Sequence, residues 1–404
     1  MRTVSYGRGA RFEPRRPDRL PRVKIGIVVP FSWSFWGGVP EHADHQARAL
    51  FDLGHEVRML IGHDPPGRLT KALHPRVGRH ERPPEYVIPV GRSVIVPANG
   101  SLSNVVITPR SMSRISRALA RERFDVLHVH EPLVPIISVC AMVRAGCPVV
   151  STSHSSGESL RWYPFAKPLW GFLRERIDHR LAVSARARET AIPFLGEPIE
   201  VLPNGVVIPR AADAGGRLPH VVFVGRNEPR KGLSVLLRAW PRVAARTGAR
   251  LRIVGADPLS VRWLLRRERL PDTNVDLLGS VPEEALTDEL LAASVLAAPS
   301  VGRESFGMVL TRAFGCATPV VASDIEGYRD VAAPETSVLV PPGDVTALAS
   351  ALIALLEDER RRQTLGEAGR RVAEERYSWS RIGGRLLQIY DALARERVPA
   401  RVAA

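Results

Sequence analysis

Residues 221–244 have the sequence VVFVGRNEPRKGLSVLLRAWPRVA, an apolar segment, a polar loop and a segment with helical spacing. The segment VVFVGR (221–226) predicts a strand of a parallel sheet, because such strands are covered on both faces and are therefore apolar. LSVLLRAWPRVA (233–244) predicts the helix that follows. Arg226 and Lys231 would then lie at the carboxyl end of the strand, where doubly wound α/β sheets bind their ligands.

The same order of elements occurs near the beginning of the chain. VKIGIVVP (23–30) predicts a strand, Gly37 and Gly38 lie in a loop, and residues 41–55 have helical spacing before the strand EVRML (56–60). This is the beginning of a second doubly wound α/β unit. Further strands are predicted at 125–132, 148–154, 180–184 and 198–206 in the first half, and at 251–255, 275–279, 295–300 and 319–323 in the second.

The chain is therefore predicted to have an α/β fold with two Rossmann-like domains, 23–210 and 217–378. The Gly-rich segment AADAGGRLP (211–219) predicts a linker between them. Residues 379–397 have helical spacing, and this helix is expected to pack back across the linker. Residues 1–22 contain seven arginines and three prolines but no apolar signal-peptide core, which predicts a disordered basic arm.

Composition excludes several classes of protein. The 404 residues are 45% hydrophobic and 25% charged, which is typical of globular chains. The longest apolar run, Leu133 to Val143, is shorter than the roughly 20 residues of a spanning helix. Three cysteines cannot form a disulfide framework, which favours a reducing cytosol. The net charge of +15 suggests a polyanionic partner, although ordinary solubility charge explains it equally well.

Taken singly, the candidate motifs have ordinary explanations as well as functional ones. Gly37 and Gly38 allow backbone N–H groups to approach a phosphate, but a tight turn also uses glycine. Arg226 and Lys231 suit a diphosphate, or they belong to a solvated loop. The chain has only four lysines, so a lysine at this position favours the diphosphate interpretation. Glu304 precedes a helix, where a carboxylate is also a common cap.

Taken in order, the motifs resemble those of the retaining glycosyltransferases of family 4, which have the GT-B fold. The resemblance covers roughly residues 23–390 and is strongest to the phosphatidylinositol mannosyltransferases of actinobacteria. Its motifs are Gly37-Gly38, HVHEP (128–132), SxSH ending at His154, AVS (182–184), LPNGV (202–206), VGRxEPRKG (224–232) and ESFGxVL (304–310).

This resemblance implies a role for each matching residue in binding a nucleotide sugar between the two domains. Gly37 and Gly38 match the glycine loop at the donor phosphates, and Arg226 and Lys231 match the diphosphate clamp. His154 matches a histidine beside the transferred sugar. Glu304 matches the first carboxylate of the family's E-x7-E element, and the adjacent positions Ser305, Phe306 and Gly307 are assigned to the donor with it.

The resemblance also implies an enzyme that needs no cofactor. GDP- or UDP-sugar is the expected substrate, and a hexose, with mannose as the first choice, is the expected transferred group. Retention in this family is usually explained by attack on the face that the leaving phosphate departs from. The chain contains no Asp-x-Asp sequence, and the basic clamp is able to replace a metal ion, so metal independence is expected.

The chain departs from the family pattern at two positions near Glu304. The second glutamate of E-x7-E, which binds the ribose hydroxyls, is replaced by Arg312. A guanidinium donates hydrogen bonds and accepts none, so it suits a donor with an added anionic group, or it points to solvent. Ala317 occupies a position where the family usually has glycine.

The acceptor side departs as well. Pro40 replaces a glutamine, Phe31 replaces a tyrosine, and Asn104 replaces an arginine that meets the lipid phosphate in the mannosyltransferases. The Asn99-Gly100-Ser101 sequence of that loop is retained. Phe31 and these three residues are therefore the acceptor candidates, and the identity of the acceptor stays open.

Residues 109–121, PRSMSRISRALAR, predict an amphipathic helix. At 100° per residue, Arg110, Arg114, Arg117 and Arg121 lie within 60° of one another, opposite Met112, Ile115 and Leu119. Such a basic stripe suits an anionic membrane surface, and it is equally found on an ordinary surface helix.

Three functional hypotheses follow from these observations. The first is a retaining transferase acting on a lipid or polyol phosphate at the cytoplasmic membrane face. The second is a soluble transferase for a cyclitol, thiol-pathway or antibiotic acceptor. The third is a ligand-binding relative without turnover. Nucleic-acid binding is not expected, because no recognition module accompanies the charge, and the oligomeric state is left open.

Overall fold

The computed structural model describes residues 22–35, 37–74, 82–98, 101–155, 167–210, 217–302 and 304–402. They form two α/β domains, each built around its own mainly parallel sheet, as the two series of strands predict. Within these ranges, the helices are all too short or too polar to span a bilayer. The predicted basic arm, except for Arg22, lies outside the described residues, as does most of the predicted linker.

The N-terminal sheet has seven strands in the order β3-β2-β1-β6-β7-β8-β9, and the antiparallel pair β4–β5 joins it through β1. The strands are β1 (Lys24–Ser32), β2 (Glu56–Gly62), β3 (Val87–Gly91), β4 (Val94–Ala98), β5 (Ser101–Val105), β6 (Val126–His130), β7 (Val149–Ser153), β8 (His179–Ala182) and β9 (Glu200–Val201). The helices are α1 (Gly38–Asp52), α2 (Arg68–Leu73), α3 (Pro109–Glu122), α4 (Ile137–Arg144), α5 (Lys167–Arg174) and α6 (Ala185–Leu195).

The C-terminal sheet is parallel, and its strand order β12-β11-β10-β13-β14-β15 changes direction between β10 and β13. The strands are β10 (Leu218–Val224), β11 (Arg250–Val254), β12 (Val275–Gly279), β13 (Ala293–Ala298), β14 (Val320–Ser323) and β15 (Ser337–Val340). The helices are α7 (Leu233–Thr247), α8 (Pro258–Arg267), α9 (Glu283–Ala292), α10 (Met308–Gly315), α11 (Glu326–Arg329), α12 (Val345–Glu357) and α13 (Glu359–Val372). Loops at the point of reversal are the usual ligand-binding position in such sheets.

The last helix, α14 (Trp379–Val402), returns to the N-terminal domain, as expected for residues 379–397. Its residues Ile382, Leu386 and Tyr390 are buried in the N-terminal core together with residues of α1. The Tyr390 hydroxyl accepts a hydrogen bond from Gln46 Nε2 at 3.1 Å. This packing ties the end of the chain to the domain that begins it.

The predicted strand at 198–206 is wrong over most of its length, because only Glu200–Val201 pair in the sheet. The segment that follows turns toward the beginning of α14. Val206 forms a bridge with Ser378, and a Cβ on Gly205 would lie 2.4 Å from the Trp379 ring. Val206 is therefore buried outside the sheet, and its backbone N–H donates to the Tyr377 carbonyl at 2.7 Å.

Candidate active site

Two loops of the C-terminal domain meet at the point where its strand order reverses. One connects β10 to α7, and the other connects β13 to α10. Gly232 makes the close approach possible, because it has φ +67° and a Cβ there would lie 1.9 Å from the Pro299 carbonyl oxygen. Across the contact, Val301 N donates a hydrogen bond to the Arg230 carbonyl at 2.8 Å.

A buried carboxylate lies at the centre of this contact. Glu304 Oε1 accepts from Lys231 Nζ at 2.8 Å and from Arg230 Nη1 at 2.9 Å, and Ser300 Oγ is 3.2 Å away. The Glu304 side chain is only 9% exposed. A carboxylate buried to this degree needs such partners, because an unpaired charge is costly to remove from water.

The cationic loop continues outward from this carboxylate. Arg230 Nε donates to Glu228 Oε2 at 3.0 Å, and Glu228 Oε1 lies 2.8 Å from Arg226 Nη2. The structure therefore brings the predicted Lys231 and Glu304 together and links Arg226 to them through Glu228 and Arg230. Three cations against two carboxylates leave a net charge of +1, which suits an anionic ligand.

The glycine loop of the N-terminal domain faces the beginning of α10. Gly37 is the N-cap of α1 with an extended backbone, and a Cβ there would meet no atom within 4 Å. A Cβ on Gly38 would lie 3.4 Å from Met308 Sδ, the first residue of α10. The fold itself therefore does not demand glycine at position 37. The N–H groups of Gly38 and Val39 at the start of α1 have no acceptor within the helix and lie on the side of Met308.

The ESFG segment contributes to this region mainly with its backbone. Phe306 is buried and its ring packs edge-on against Tyr377, with centroids 5.6 Å apart. Gly307 is the N-cap of α10 with φ +85°. Any contact of Phe306 with a donor would therefore come from its main chain. The Ser305 side chain is partly exposed and could contact a donor directly.

His154 follows β7 and belongs to a cluster of buried histidines. Its Nε2 lies 2.9 Å from His130 Nδ1, and its ring packs against that of His42 at 5.0 Å between centroids. The His154 backbone N–H donates to Glu131 Oε1 at 2.9 Å. Burial, and to a smaller extent the neighbouring His128, lowers the pKa of His154 to about 3. His154 is therefore neutral at physiological pH, so its ring can form hydrogen bonds but no ion pair.

Arg312 does not point to solvent, so that alternative from the sequence is wrong. Its guanidinium lies in the cleft, in direct contact with the Glu41 carboxylate of α1 and 3.6 Å from Glu283 Oε1 of α9. Burial lowers the pKa of Arg312 to about 10, which still leaves the side chain charged. The second carboxylate, Glu283, also contacts His45 Nε2, at 2.8 Å.

The sequence did not single out Arg230, Glu41, His45 or Glu283 as site residues. Arg230 is one of many arginines in a chain that uses this residue as its usual base, so only its position next to Lys231 marks it. Glu41, His45 and Glu283 are gathered from separate domains, and no local pattern predicts their contact. Ala317 has φ +52°, the left-handed region that favours the family glycine.

The acceptor candidates are only partly described. Phe31 lies in β1, pairs with Val105 and packs half-buried against the N-terminal core. Ser101 is placed as the first residue of β5, and Asn99 and Gly100 lie outside the described residues. The acceptor pocket is thus not delineated by these side chains.

The predicted basic helix is α3 (Pro109–Glu122), and its four arginines are exposed: Arg110, Arg114, Arg117 and Arg121. Its buried face consists of Ser111, Ile115 and Ala118 and not of the whole predicted apolar stripe. Met112 is 46% exposed, because it lies at the edge of that face.

Two Rossmann-like domains facing a cleft, with a cationic loop at the switch point and a C-terminal helix returning to the first domain, define a glycosyltransferase of the GT-B class. Solved structures agree with this fold. The chain superposes on a sucrose-phosphate synthase from Thermosynechococcus elongatus with a TM-score of 0.69 at 21% identity, covering 92% of this chain and 99% of that chain. The chain also superposes on Anabaena HepE in complex with UDP and glucose, with a TM-score of 0.67 at 19% identity. This match covers 92% of this chain and 100% of that chain.

The chain belongs to glycosyltransferase family 4. A family model described as Glycosyltransferase Family 4 matches residues 36–210, and one described as Glycosyl transferases group 1 matches residues 218–358. A phosphatidyl-myo-inositol mannosyltransferase of Mycolicibacterium smegmatis is 36% identical over 92% of this chain and 94% of its own length. A protein of the same description from Propionibacterium freudenreichii is 31% identical over 91% of this chain and 94% of its own length.

The buried histidines predict an acid-sensitive fold. His128 and His154 each have a pKa lowered to about 3, below the unfolded value of about 6.5. Between these values the unfolded chain binds more protons than the native one, so stability falls as the pH falls below about 6.5. Each histidine contributes up to about 1.4 kcal/mol per pH unit.

Urea unfolding between pH 7 and pH 5 tests this with the variant His154→Gln. We expect the free energy of unfolding of the wild type to decrease as the pH is lowered. In the variant this decrease should be less steep, by the amount that corresponds to about one proton taken up on unfolding. His179→Gln is the control, because that ring is partly exposed and pairs with Glu200. An identical slope in wild type and His154→Gln would show that His154 is not held neutral by the fold.

Proposed function

We propose that this chain is a retaining mannosyltransferase that transfers mannose from GDP- or UDP-mannose to a phosphoinositol-type lipid. The observation that carries the proposal is the buried Glu304 carboxylate held by Arg230 and Lys231, opposite the glycine loop of α1. The relatives described as phosphatidyl-myo-inositol mannosyltransferases, at 31–36% identity over nearly the whole chain, support the sugar and the acceptor class.

The arrangement suits the departure of a nucleoside diphosphate. As the bond between the sugar C1 and the phosphate oxygen breaks, negative charge grows on the diphosphate. Lys231, Arg230 and the first-turn N–H groups of α1 and α10 are fixed donors that stabilise this charge without reorganising. The acceptor oxygen then bonds to C1 on the same face, and its proton passes to the leaving phosphate. Glu304 is occupied by three partners, which suits a positioning role rather than that of a nucleophile.

We further propose that transfer needs no divalent metal ion. Among the described residues, two groups have metal-ligand spacing: His42–His130–His154 and Glu41–His45–Glu283. The first offers only nitrogen, whereas Mg²⁺ at phosphates takes oxygen ligands. In the second group both carboxylates, Glu41 and Glu283, already pair with the Arg312 guanidinium, which contributes the positive charge.

Metal independence predicts full activity in a chelator. Enzyme dialysed against EDTA is expected to retain its kcat/KM within about twofold, because the cations that stabilise the diphosphate are covalently part of the chain. Initial rates of nucleoside diphosphate release with and without EDTA measure this. Loss of activity in EDTA with recovery on adding Mg²⁺ or Mn²⁺ would contradict the proposal.

The phosphate role of Lys231 is tested by Lys231→Ala. We expect kcat/KM to fall roughly 30- to 1,000-fold, a loss of about 2–4 kcal/mol of transition-state stabilisation, with weaker donor binding. The exposed Lys71 of α2 provides the matched control, and Lys71→Ala should leave both quantities unchanged. Wild-type kinetics in Lys231→Ala would remove this lysine from the diphosphate site.

We also propose that α3 docks the protein on the inner face of an anionic membrane. Its four arginines lie within 60° of one another on an exposed face of the helix. Each basic residue near an anionic lipid surface contributes about 1 kcal/mol. A membrane-bound enzyme would thereby reach a lipid acceptor without a spanning helix.

The double variant Arg114→Glu/Arg117→Glu tests the membrane contact. Its affinity for vesicles containing phosphatidylinositol should fall at least roughly 30-fold in sedimentation assays. Arg360→Glu/Arg361→Glu on the exposed surface of α13 has the same change of charge and should bind as the wild type does. An equal loss of vesicle affinity in both double variants would indicate an effect of net charge alone. If both double variants kept the wild-type affinity, a soluble acceptor would be favoured.

A further inference from the structure

Three histidines of the N-terminal domain meet at the carboxyl edge of its sheet. His130 is the last residue of β6, and His154 directly follows β7, the neighbouring parallel strand. Their side chains therefore lie at the edge where doubly wound sheets bind ligands. His42 reaches them from α1, and all three residues are at most 8% exposed.

The separations of the three rings match those around a single metal ion. Ring centroids are 5.6 Å apart for His42 and His130, 5.0 Å for His42 and His154, and 5.1 Å for His130 and His154. A tetrahedral Zn²⁺ ion lies about 2.0–2.1 Å from each imidazole nitrogen, which places the centroids of two of its histidines about 5.2 Å apart. One nitrogen of each ring lies within 4.8 Å of one nitrogen of each of the others. Three histidines with one open position are a ligand set that zinc sites use.

Hydrogen bonds within the protein do not use all the nitrogens of these rings. His130 Nδ1 and His154 Nε2 are 2.9 Å apart, so one of them donates to the other. His42 Nδ1 and His130 Nε2 are buried and have no hydrogen-bond partner among the described residues. A bound ion is one of the usual reasons for a buried polar atom without a protein partner.

A fourth histidine supports the cluster without belonging to it. His128 stacks on His130, with 4.6 Å between centroids and an interplanar angle of 6°. Its Nδ1 lies 3.0 Å from Gln46 Nε2, and its Nε2 lies 2.7 Å from Thr152 Oγ1. Both nitrogens of His128 are therefore engaged, and the ring fixes the plane of its neighbour.

His42 and His154 are held from other directions. The His42 ring packs against the Trp379 ring of α14, with centroids 5.1 Å apart. The His154 backbone N–H donates to Glu131 Oε1 at 2.9 Å. Side chains that are held in place before an ion arrives lose little conformational freedom when it binds.

We propose that His42, His130 and His154 form a binding site for a transition metal ion of the zinc class. Imidazole suits Zn²⁺ and related ions, whereas Mg²⁺ and Ca²⁺ take oxygen ligands. The ion takes the place of the hydrogen bond between His130 and His154, whose proton moves to the far nitrogen of its ring. Their facing nitrogens then separate from 2.9 Å to about 3.4 Å. The site is additional to the proposed transfer, because none of the three histidines belongs to the ion pairs of Glu304.

Calorimetric titration with Zn²⁺ tests the site in the untagged full chain after treatment with EDTA and dialysis. We expect one ion to bind per chain. His42→Gln and His130→Gln should each lower its affinity at least roughly 100-fold, because losing a ligand costs more than the 10- to 100-fold effect of losing a group that only orients one. The matched control is His45→Gln, on the same helix, which changes the other group with metal-ligand spacing and should bind Zn²⁺ as the wild type does.

X-ray absorption of the wild type with one equivalent of Zn²⁺ tests the ligand set without any variant. It should count three imidazole nitrogens at about 2.0–2.1 Å, whereas the group of Glu41, His45 and Glu283 would supply one. A wild type that binds no stoichiometric Zn²⁺, or binds it with fewer than three imidazoles, would overturn the proposal. Wild-type affinity in folded His42→Gln and His130→Gln would do the same. No nucleotide enters these measurements, so a negative result leaves the proposed transferase function unaffected.

Discussion

The ion pairs of Glu304 are the interaction on which the rest of the site depends. A carboxylate this deeply buried is tolerated only because Lys231 and Arg230 lie within 2.9 Å of it. Those contacts fasten the loop after β10 to the loop after β13 at the point where strand order reverses. The close approach requires glycine at position 232, since a Cβ there would lie 1.9 Å from the Pro299 carbonyl oxygen. Gly327 of α11 in turn lets this helix approach the Glu304 carbonyl, which a Cβ would meet at 1.9 Å. The position of α10, and with it that of Arg312, follows from this contact.

The second constraint is the connection between the domains. α14 packs against α1, so the helix whose N-terminus carries the glycine loop is held by the end of the chain. Side chains then bridge the cleft directly: Glu41 with Arg312, His45 with Glu283, and Arg186 with Glu326. The exposed Arg186–Glu326 pair contributes little by itself, whereas the Arg312–Glu41 pair is largely buried, so removing one partner would leave the other charge unpaired in the cleft.

The sequence predicted the two domains and the returning helix, because apolar strands and glycine loops leave clear local patterns, but it did not predict that Lys231 pairs with Glu304. It misjudged the strand at 198–206, because Val206 bridges to Ser378, 172 residues further along the chain, and does not pair in the sheet. It also left Arg312 between two alternatives, since the partners of that side chain are in α1 and α9. Contacts between distant segments have no periodicity, so residues such as Glu283 become visible only in three dimensions.

The central claim is that the cationic loop and the glycine loop form a nucleoside diphosphate site. Calorimetric titration of the wild-type protein with UDP, GDP, ADP and their sugars tests it most directly, because binding is measured without an acceptor. We expect one of the nucleoside diphosphates to bind at a single site, with an affinity that decreases with ionic strength, as charge pairing requires. If none of the nucleotides or nucleotide sugars binds, Glu304, Arg230 and Lys231 only stabilise the fold, and the account is wrong.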